Sequence, residues 1–386
     1  EDQRELLLNL DDCSKDDKDE WLAADIRELY SLVIDKNVWT TAPLPNGKKE
    51  LGAKWVRKIK TSGQFKSRYV LKGYNMVHGI DYDQTFAPVA NMPTFRLFLW
   101  ICAYFDLEVS NADVSTAYLN APAEKDIYMK CDKDLLQKLK ELKKTLHGNE
   151  RHRVNRLIIR LMKGESLLLL KAIYGSKSAG RQWFLDIDAF LKSIGFVSNK
   201  AAPCFYSIII GKDFVILLLY VDDIIIGATT TALKVKYYDL LRKKYKMTFN
   251  EILTDFLNIA LTRDRTKREY HMSQSAYVEA FHETFQLPKD SSVQTPFTEN
   301  LRISPTERGD LTPAQRAYVR NFPFRKLIGV VLYCNICTML GISYAVSNLA
   351  KFTSNPVFDA CKELINCASS YIMTGTGGSP SGEEEP

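Results

Sequence analysis

The sequence predicts an α+β fold built on an antiparallel sheet. Three observations carry that expectation. Residues 52–73, "GAKWVRKIKTSGQFKSRYVLKG", read as a β-hairpin turning at Ser62-Gly63, and residues 214–228, "FVILLLYVDDIIIGA", read as two apolar strands joined at Asp222-Asp223. Several other runs place apolar residues at the three- and four-residue spacing of a helix. Strands and helices do not alternate regularly, as a parallel sheet with crossover helices requires. With 386 residues, 46% of them hydrophobic and 25% charged, the chain is long enough for a sizeable core and more than one domain or subdomain.

The elements follow in order. In "WLAADIRELYSLVI", Leu22, Ile26, Leu29 and Val33 share one helical face. "TFRLFLWICAYF" reads as a buried helix, and "LEVSNADVSTAYL" as a short strand running into a turn or helix. Leu135, Leu139, Leu142 and Leu146, then Val154, Leu157, Ile158 and Leu161 beyond Gly148, predict two amphipathic helices with Lys and Arg outward. "RQWFLDIDAFLKSIGF" predicts a helix ended by Gly195, and the strand "PCFYSIIIG" leads into the 214–228 hairpin. Residues 1–19 read as a charged, solvated lead-in and residues 375–386 as a flexible tail. No internal repeat is visible.

The net charge of +6 and pI near 8.7 permit a polyanionic partner without requiring one. Eight cysteines in a chain of this length do not make a disulfide framework. With no signal-peptide pattern, they suit a reduced, intracellular protein that is not secreted. Cys334 and Cys337 form a CxxC inside an apolar run, and Cys361 and Cys367 follow without metal-like spacing, so packed thiols are expected rather than a zinc site. Leu327–Ala350 holds no charged residue and reaches the length of a membrane span, about 20 residues. It also holds Asn335, Thr338, Ser343, Ser347, Asn348 and two glycines, so it reads as a buried helix pair broken near Gly341, with no membrane expected.

Asp222 and Asp223 stand out because burying an unpaired carboxylate costs several kcal/mol. One reading is that aspartates are good turn residues. The other gains from Asp113, in "SNADVSTAYLN", at the end of another short strand. If the two strand ends lie side by side, three carboxylates converge and repel one another unless cations sit between them. Oxygen ligands suit Mg²⁺, and a pair of such ions is the arrangement of polymerases.

At this point the residues carry a resemblance. "YVDD" after an apolar strand resembles the central motif of reverse transcriptases, and the rest is similar to the copia-type LTR retrotransposon (Pseudoviridae) branch. "DVSTAYLNAPAEKDIYMK" is similar to that family's D-V-x-x-A-F-L-N-G…x-x-I-Y-M, "KAIYGSKSAGRQWF" to K-A-L-Y-G-L-K-Q-A-P-R-x-W, and "KSRYVLKGYNMVHGIDYDQTFAPVANM" to K-A-R-L-V-A-K-G…G-I-D-Y-x-x-T-F-S-P-V. Later blocks, "MSQSAYVEAFHETFQL…VQTPF" and "FRKLIGVVLY…ISYAVSNLAKFTSNP", follow in the family's order. The resemblance runs from about Trp21 to Thr376 and reads as the polymerase segment of a longer polyprotein.

The resemblance implies a right-hand fold, with fingers and palm over 20–275 and a thumb or connection-like region over 276–374. It implies an RNA-directed DNA polymerase acting on an RNA/DNA template-primer and dNTPs, with two Mg²⁺ ions or with Mn²⁺ in their place. Asp113, Asp222 and Asp223 would be the catalytic metal ligands, helped by the Val114 carbonyl. Tyr118 would block the 2′-OH of a ribonucleotide, or else only pack. Lys66, Arg68 and Lys72 would clamp the triphosphate, or else form a solvated basic strand face. Arg181 is carried over as a further nucleotide-binding cation. "YKMTFNEILTDFLNIAL", 245–261, takes the place of the hairpin that holds the primer end.

The chain also departs from the pattern. Ser178 stands where the family has Gln, Ala121 where it has Gly, Phe249-Asn250-Glu251 for D-L-G, and Asn258 for the glycine of F-L-G-I. Thr338–Ile342 replaces T-R-P-D-I, and residues 131–166 match poorly, as if inserted or scrambled. The three carboxylates survive in an altered setting. The alternative function is therefore an inactive retrotransposon remnant that at most binds nucleic acid. A membrane-associated interaction protein is a third reading, resting on 327–350 alone.

Overall fold

The computed structural model describes residues 14–60, 62–288, 295–304 and 311–370. The lead-in up to residue 13 and the tail 375–386 lie outside the described residues. The chain forms two compact units. One runs up to Phe98 and resumes over Leu107–Ile252, and the other takes Leu99–Asp106 and the chain from Leu253 onward.

In the first unit the order is α1 (Lys15–Tyr30), β1 (Trp39–Ala42), β2 (Ala53–Ile59), β3 (Phe65–Leu71), α2 (Met92–Tyr104, which continues into the second unit), β4 (Glu108–Val114), β5 (Tyr128–Met129), α3 (Lys133–Thr145), α4 (Gly148–Met162), β6 (Ser166–Leu169), α5 (Ala179–Ser193), β7 (Val197–Ser198), β8 (Phe205–Ile210), β9 (Asp213–Tyr220), β10 (Asp223–Ala228), α6 (Thr231–Lys244) and β11 (Met247–Asn250). Among the described residues these strands make three sheets: β2-β3, β1-β6-β5, and six strands in the order β11-β4-β10-β9-β8-β7. Every named strand pair is antiparallel, the α+β architecture expected.

Helix α1 starts inside the stretch read as lead-in, because the Ser14 hydroxyl caps it by accepting from the Asp17 N–H. Its buried face holds the expected Ile26, Leu29 and Val33 but begins elsewhere. Leu22 is exposed, while Trp21 and Asp25 are buried. Trp21 packs edge-on against Phe65 with ring centroids 4.5 Å apart. Asp25 accepts from Arg57 at 2.6 Å and lies 3.2 Å from the Lys138 ammonium, which sits over the Trp55 ring at 4.7 Å. One buried carboxylate thus ties α1 to β2 and α3. The helix ends in a wide π turn, Ser31–Asp35, with the Lys36 N–H bonded to the Ser31 carbonyl.

Helix α2 is half exposed rather than buried. Phe95 and Phe98 pack inward, while Leu97, Trp100 and Tyr104 face out, the last two stacked at 5.2 Å. Gly73 and Gly175 cross at close quarters. A Cβ on Gly73 would lie 1.9 Å from the Gly175 carbonyl oxygen, and one on Gly175, whose φ is +88°, would lie 2.1 Å from the Leu71 carbonyl oxygen. The Leu71 N–H donates to the Tyr174 carbonyl at the same crossing, at 2.8 Å.

In the second unit a small sheet, β12 (Asp255–Phe256), β13 (Ile259–Asp264) and β14 (Glu269–Ser273), precedes helices α7 (Ser275–Phe285), α8 (Pro313–Asn321), α9 (Phe324–Cys337), α10 (Ser343–Ala350) and α11 (Phe358–Ser369). Leu257 and Asn258 join β12 to β13 with φ of 51° and 58°, the primed turn a two-residue hairpin prefers. Asn258, the departure from the family glycine, is the side chain that best tolerates that conformation. The run 327–350 is the helix pair α9–α10, interrupted by a 3₁₀ turn at Leu340–Ile342. No helix among the described residues is long and apolar enough to cross a membrane. Cys334, Cys361 and Cys367 pack in this unit's core with Leu327, Val331 and Leu364. Burial pushes the Cys334 and Cys367 thiols up to about 12, the chemistry of packing groups rather than ligands.

Candidate active site

Strand period decides which way the acidic residues point. On β4 and β10, Val114, Ile224 and Ile226 belong to a core with Trp183, Ile187 and Leu241 of α5 and α6. Asp113 and Asp223 have the opposite parity, so they project from the other face. The register pairs them directly across the sheet, Asp223 opposite Asp113. Directly opposed residues carry their Cβ atoms about 4.5–5.5 Å apart. Asp222 belongs to the turn between β9 and β10, and its carbonyl accepts the Val114 N–H at 2.8 Å. The two turn residues are Val221 and Asp222, so Asp223 is the first residue of β10 rather than half of the tip.

The carboxylates act on one another. Burial raises the Asp113 carboxyl above the ordinary value and the Asp222 charge raises it further, while Lys66 and Arg68 pull it back. Lys66 and Arg68 are two residues apart on β3 and share a face. The Arg68 guanidinium lies over the Tyr174 ring at 4.5 Å, and the Tyr174 and Tyr118 rings are 5.0 Å apart. Burial, then the Asp222 charge, raises the Tyr118 hydroxyl, while Arg68 lowers it. Asp113, Asp222, Lys66, Arg68, Tyr118 and Tyr174 therefore form one neighbourhood, with Asp223 in register beside it. Of the other two cations, Arg181 is bonded elsewhere among the described contacts, and Lys72 is placed by its backbone alone. Lys72 follows the end of β3, its N–H bonded to the Gly52 carbonyl, and Arg181 donates to the Phe86 carbonyl at 3.0 Å.

Sequence patterns did not point to three features of the site. Trp183, buried in the core, donates from its indole N–H to the Val221 carbonyl at 2.6 Å and so fixes the turn that carries Asp222. Tyr174 is the platform under Arg68. Two β-branched residues, Val221 and Thr116, adopt left-handed φ of 55° and 54° on either side of the site. Such residues store on the order of 1–3 kcal/mol each and persist only where the surroundings force them. Ser178 is buried at the start of α5, its carbonyl bonded to the Gln182 N–H. This departure therefore falls at a helix start, two residues before Gly180, where an added Cβ would lie 4.0 Å from the Tyr118 hydroxyl.

The donor set fits a hard divalent cation in kind, being carboxylate oxygens on adjacent strands with one carboxyl raised by its neighbour's charge. It does not make a closed cage, because no three His, Cys, Asp or Glu side chains among the described residues converge closely enough to hold a metal alone. Mg²⁺ commonly takes one or two carboxylates and completes its shell with water and phosphate, so an open set suits it.

The family described as "Reverse transcriptase (RNA-dependent DNA polymerase)" matches over residues 36–152 and 158–299. The single break falls inside α4, so most of the 131–166 stretch that looked inserted or scrambled is covered by the match. The retrovirus-related Pol polyprotein from transposon TNT 1-94 of Nicotiana tabacum is 31% identical over 350 residues, 89% of this chain and 24% of that protein. The Pol polyprotein from transposon RE1 of Arabidopsis thaliana is 27% identical over 86% of this chain and 21% of its own length. The Ty1-DR1 Gag-Pol polyprotein of Saccharomyces cerevisiae is 24% identical over 90% and 19%. The chain thus spans about a quarter or less of these relatives. Among solved structures, a foamy viral protease-reverse transcriptase in complex with RNA/DNA hybrid overlays 89% of this chain and 36% of that one, with a TM-score of 0.40 and 12% identity. Apo telomerase from Candida tropicalis overlays 65% and 60%, with a TM-score of 0.31 and 10% identity. The sequence matches decide membership: this chain belongs to the reverse transcriptase family, as a domain of the kind found in copia-type retrotransposon polyproteins.

Proposed function

We propose that this domain is an RNA-directed DNA polymerase that extends a primer on an RNA template by nucleotidyl transfer from dNTPs. The observation that carries the reading is the β4–β10 register, which sets Asp113 opposite Asp223 with the Asp222 charge acting on Asp113. Asp113, Asp222 and Asp223 would hold the divalent ions, with the Val114 carbonyl as a further ligand. When bound, two Mg²⁺ or Mn²⁺ ions would activate the attacking hydroxyl and offset charge on the transferring phosphoryl group. The chain's own residues orient the nucleotide. Lys66 and Arg68 present cations to the triphosphate from one strand face, with Arg68 held on the Tyr174 ring. Tyr118 stands as the floor beneath the sugar. Lys72 and Arg181 are further cations for the same role, with Arg181 bonded to the Phe86 carbonyl. In this reading the fingers and palm fall in 20–275 and a thumb or connection-like region in 276–374.

A second reading, a remnant that binds nucleic acid without catalysis, rests on the departures from the family pattern at Ala121, Ser178 and Phe249-Asn250-Glu251. Primer extension on an RNA template with Mg²⁺ or Mn²⁺ separates the two. Incorporation that disappears in Asp113→Asn, Asp222→Asn and Asp223→Asn supports the polymerase. No incorporation by the wild type with either metal, while template-primer still binds, replaces it with the remnant.

A further inference from the structure

A second charged cluster lies around Asn120 in the first unit. The Lys36 ammonium donates to Asn120 Oδ1 at 2.7 Å, and the Lys171 ammonium donates to the carbonyl oxygen of the same residue at 3.1 Å. Two cations therefore meet on one neutral amide. Lys246, exposed at the edge of β11, adds a third, and its carbonyl accepts the Ser115 N–H at 2.9 Å. Burial leads in lowering the Lys36 ammonium below its usual value, and both other lysines lower it further. Asp35 is the one carboxylate among the described residues that offsets this.

The cluster is built rather than incidental. Lys36 leaves the π turn Ser31–Asp35, a rare wide turn whose form is common at functional sites. Asn120 is fixed from below, because its amide N–H₂ donates to the Thr116 and Ala117 carbonyls at 3.2 and 3.1 Å. Its side chain thus cannot turn away from Lys36. Each ammonium carries three donors, and the structure engages one on Lys36 and one on Lys171. One carboxylate, Asp35, thus faces three ammonium groups, which leaves the cluster with a net positive charge.

We propose that Lys36, Lys171 and Lys246 form a binding site for a phosphate-class oxyanion, separate from the Lys66–Arg68 face. The chemistry is that of several ammonium donors on a compact anion. Two sources share it: free pyrophosphate, the class of product nucleotidyl transfer releases, and the phosphodiester of a nucleic-acid strand. The site stands on its own lysines and does not require the polymerase reading.

The test is binding without divalent metal, read by calorimetry and by the ammonium resonances of the lysines. The probes are inorganic pyrophosphate and a short oligothymidylate. Lys246→Gln, on an exposed side chain, removes one charge with the least risk to folding, and Lys171→Gln removes a second. Each should weaken the probe that binds by about tenfold, the scale of one charge-assisted hydrogen bond. The variant Lys212→Gln, at an exposed lysine in the turn between β8 and β9, should leave that binding in place. Pyrophosphate responding alone names the free anion as the source, and oligothymidylate responding alone names the strand. Binding that Lys171→Gln and Lys246→Gln weaken no more than Lys212→Gln does overturns the proposal, as does a wild type that binds neither probe. Neither failure bears on primer extension, so the two readings fail separately.

Discussion

The indole of Trp183 should control the geometry of the acidic turn, and Trp183→Phe isolates that control. The change keeps an aromatic ring in the core beside Tyr245, 5.1 Å away, but removes the donor to the Val221 carbonyl. An unpaired carbonyl costs about 1–3 kcal/mol, and the smaller ring leaves a cavity that adds on the order of 1–2. Against this, Val221 is held at a φ of 55°, where a β-branched side chain stores about 1–3 kcal/mol. Once its anchor is gone the turn relaxes and that strain is recovered. Trp183→Phe should therefore cost about 1–2 kcal/mol in the wild type, and about 2–5 in the Val221→Gly background, where there is no strain to recover. Urea unfolding of the four proteins gives the coupling. A Mg²⁺ titration of melting temperature gives the consequence for the site, since a relaxed turn displaces Asp222. The Mg²⁺ response should fall in Trp183→Phe and survive in Val221→Gly. If the two substitutions are additive within about 0.5 kcal/mol and the Mg²⁺ response is unchanged, the indole is packing and nothing more.

Other outcomes follow from the same structure. Asp113 has a raised folded value, so its protonated form favours the native state; its contribution is present below the unfolded value near 3.9 and is lost as pH rises through the higher folded one. Melting temperatures measured from about pH 4 upward should show this loss in the wild type and not in Asp113→Asn. Saturating Mg²⁺, at a hundredfold excess over Kd, should add about 2.7 kcal/mol to the wild type and little to Asp222→Asn/Asp223→Asn; an equal gain in both would remove the metal from this site. Asp25→Ala leaves Arg57 and Lys138 buried without their carboxylate and should destabilise by about 3–5 kcal/mol in denaturant unfolding, against nearly nothing for a solvated Asp16→Ala. In single-nucleotide incorporation, Tyr118→Ala should admit ribonucleotides, each tenfold change marking about 1.4 kcal/mol of lost discrimination, whereas an unchanged dNTP/rNTP ratio makes Tyr118 a packing residue.

What could be read from the sequence was local. The Ser62-Gly63 turn, the strand-length runs around Asp222-Asp223 and the leucine spacing of α3 and α4 each lie within one short window, and each is found in the structure. The features that escaped depend on residues far apart in the chain. Asp25 looks like a solvated helix charge until Arg57, thirty-two positions on, is placed beside it, and that pairing puts Asp25 rather than Leu22 on the buried face of α1. Trp183 reads as an ordinary core aromatic because its hydrogen bond ends on a backbone carbonyl, which has no sequence signal. Lys72 and Arg181 carry the expected charge, but nothing in their neighbours foretells the backbone positions at which the chain holds them. The reverse holds at Asn258, where an apparent loss of a glycine is a turn residue with the same conformational licence.

The crossing of Gly73 over Gly175 has a mechanical consequence. With carbonyl oxygens where side chains would otherwise be, the two segments pack backbone to backbone, and the exit of β3 is anchored there. The β2–β3 hairpin is held at its base by this crossing and along its length by α1, where Trp21 packs on Phe65 and Asp25 pairs with Arg57. At about 3.3 Å per residue, Arg68 sits roughly 10 Å from Leu71, Lys66 roughly 17 Å and the Ser62-Gly63 tip roughly 30 Å. Arg68, seated on the Tyr174 ring, thus lies close to the anchored crossing, while Lys66 stands farther out along the same strand face.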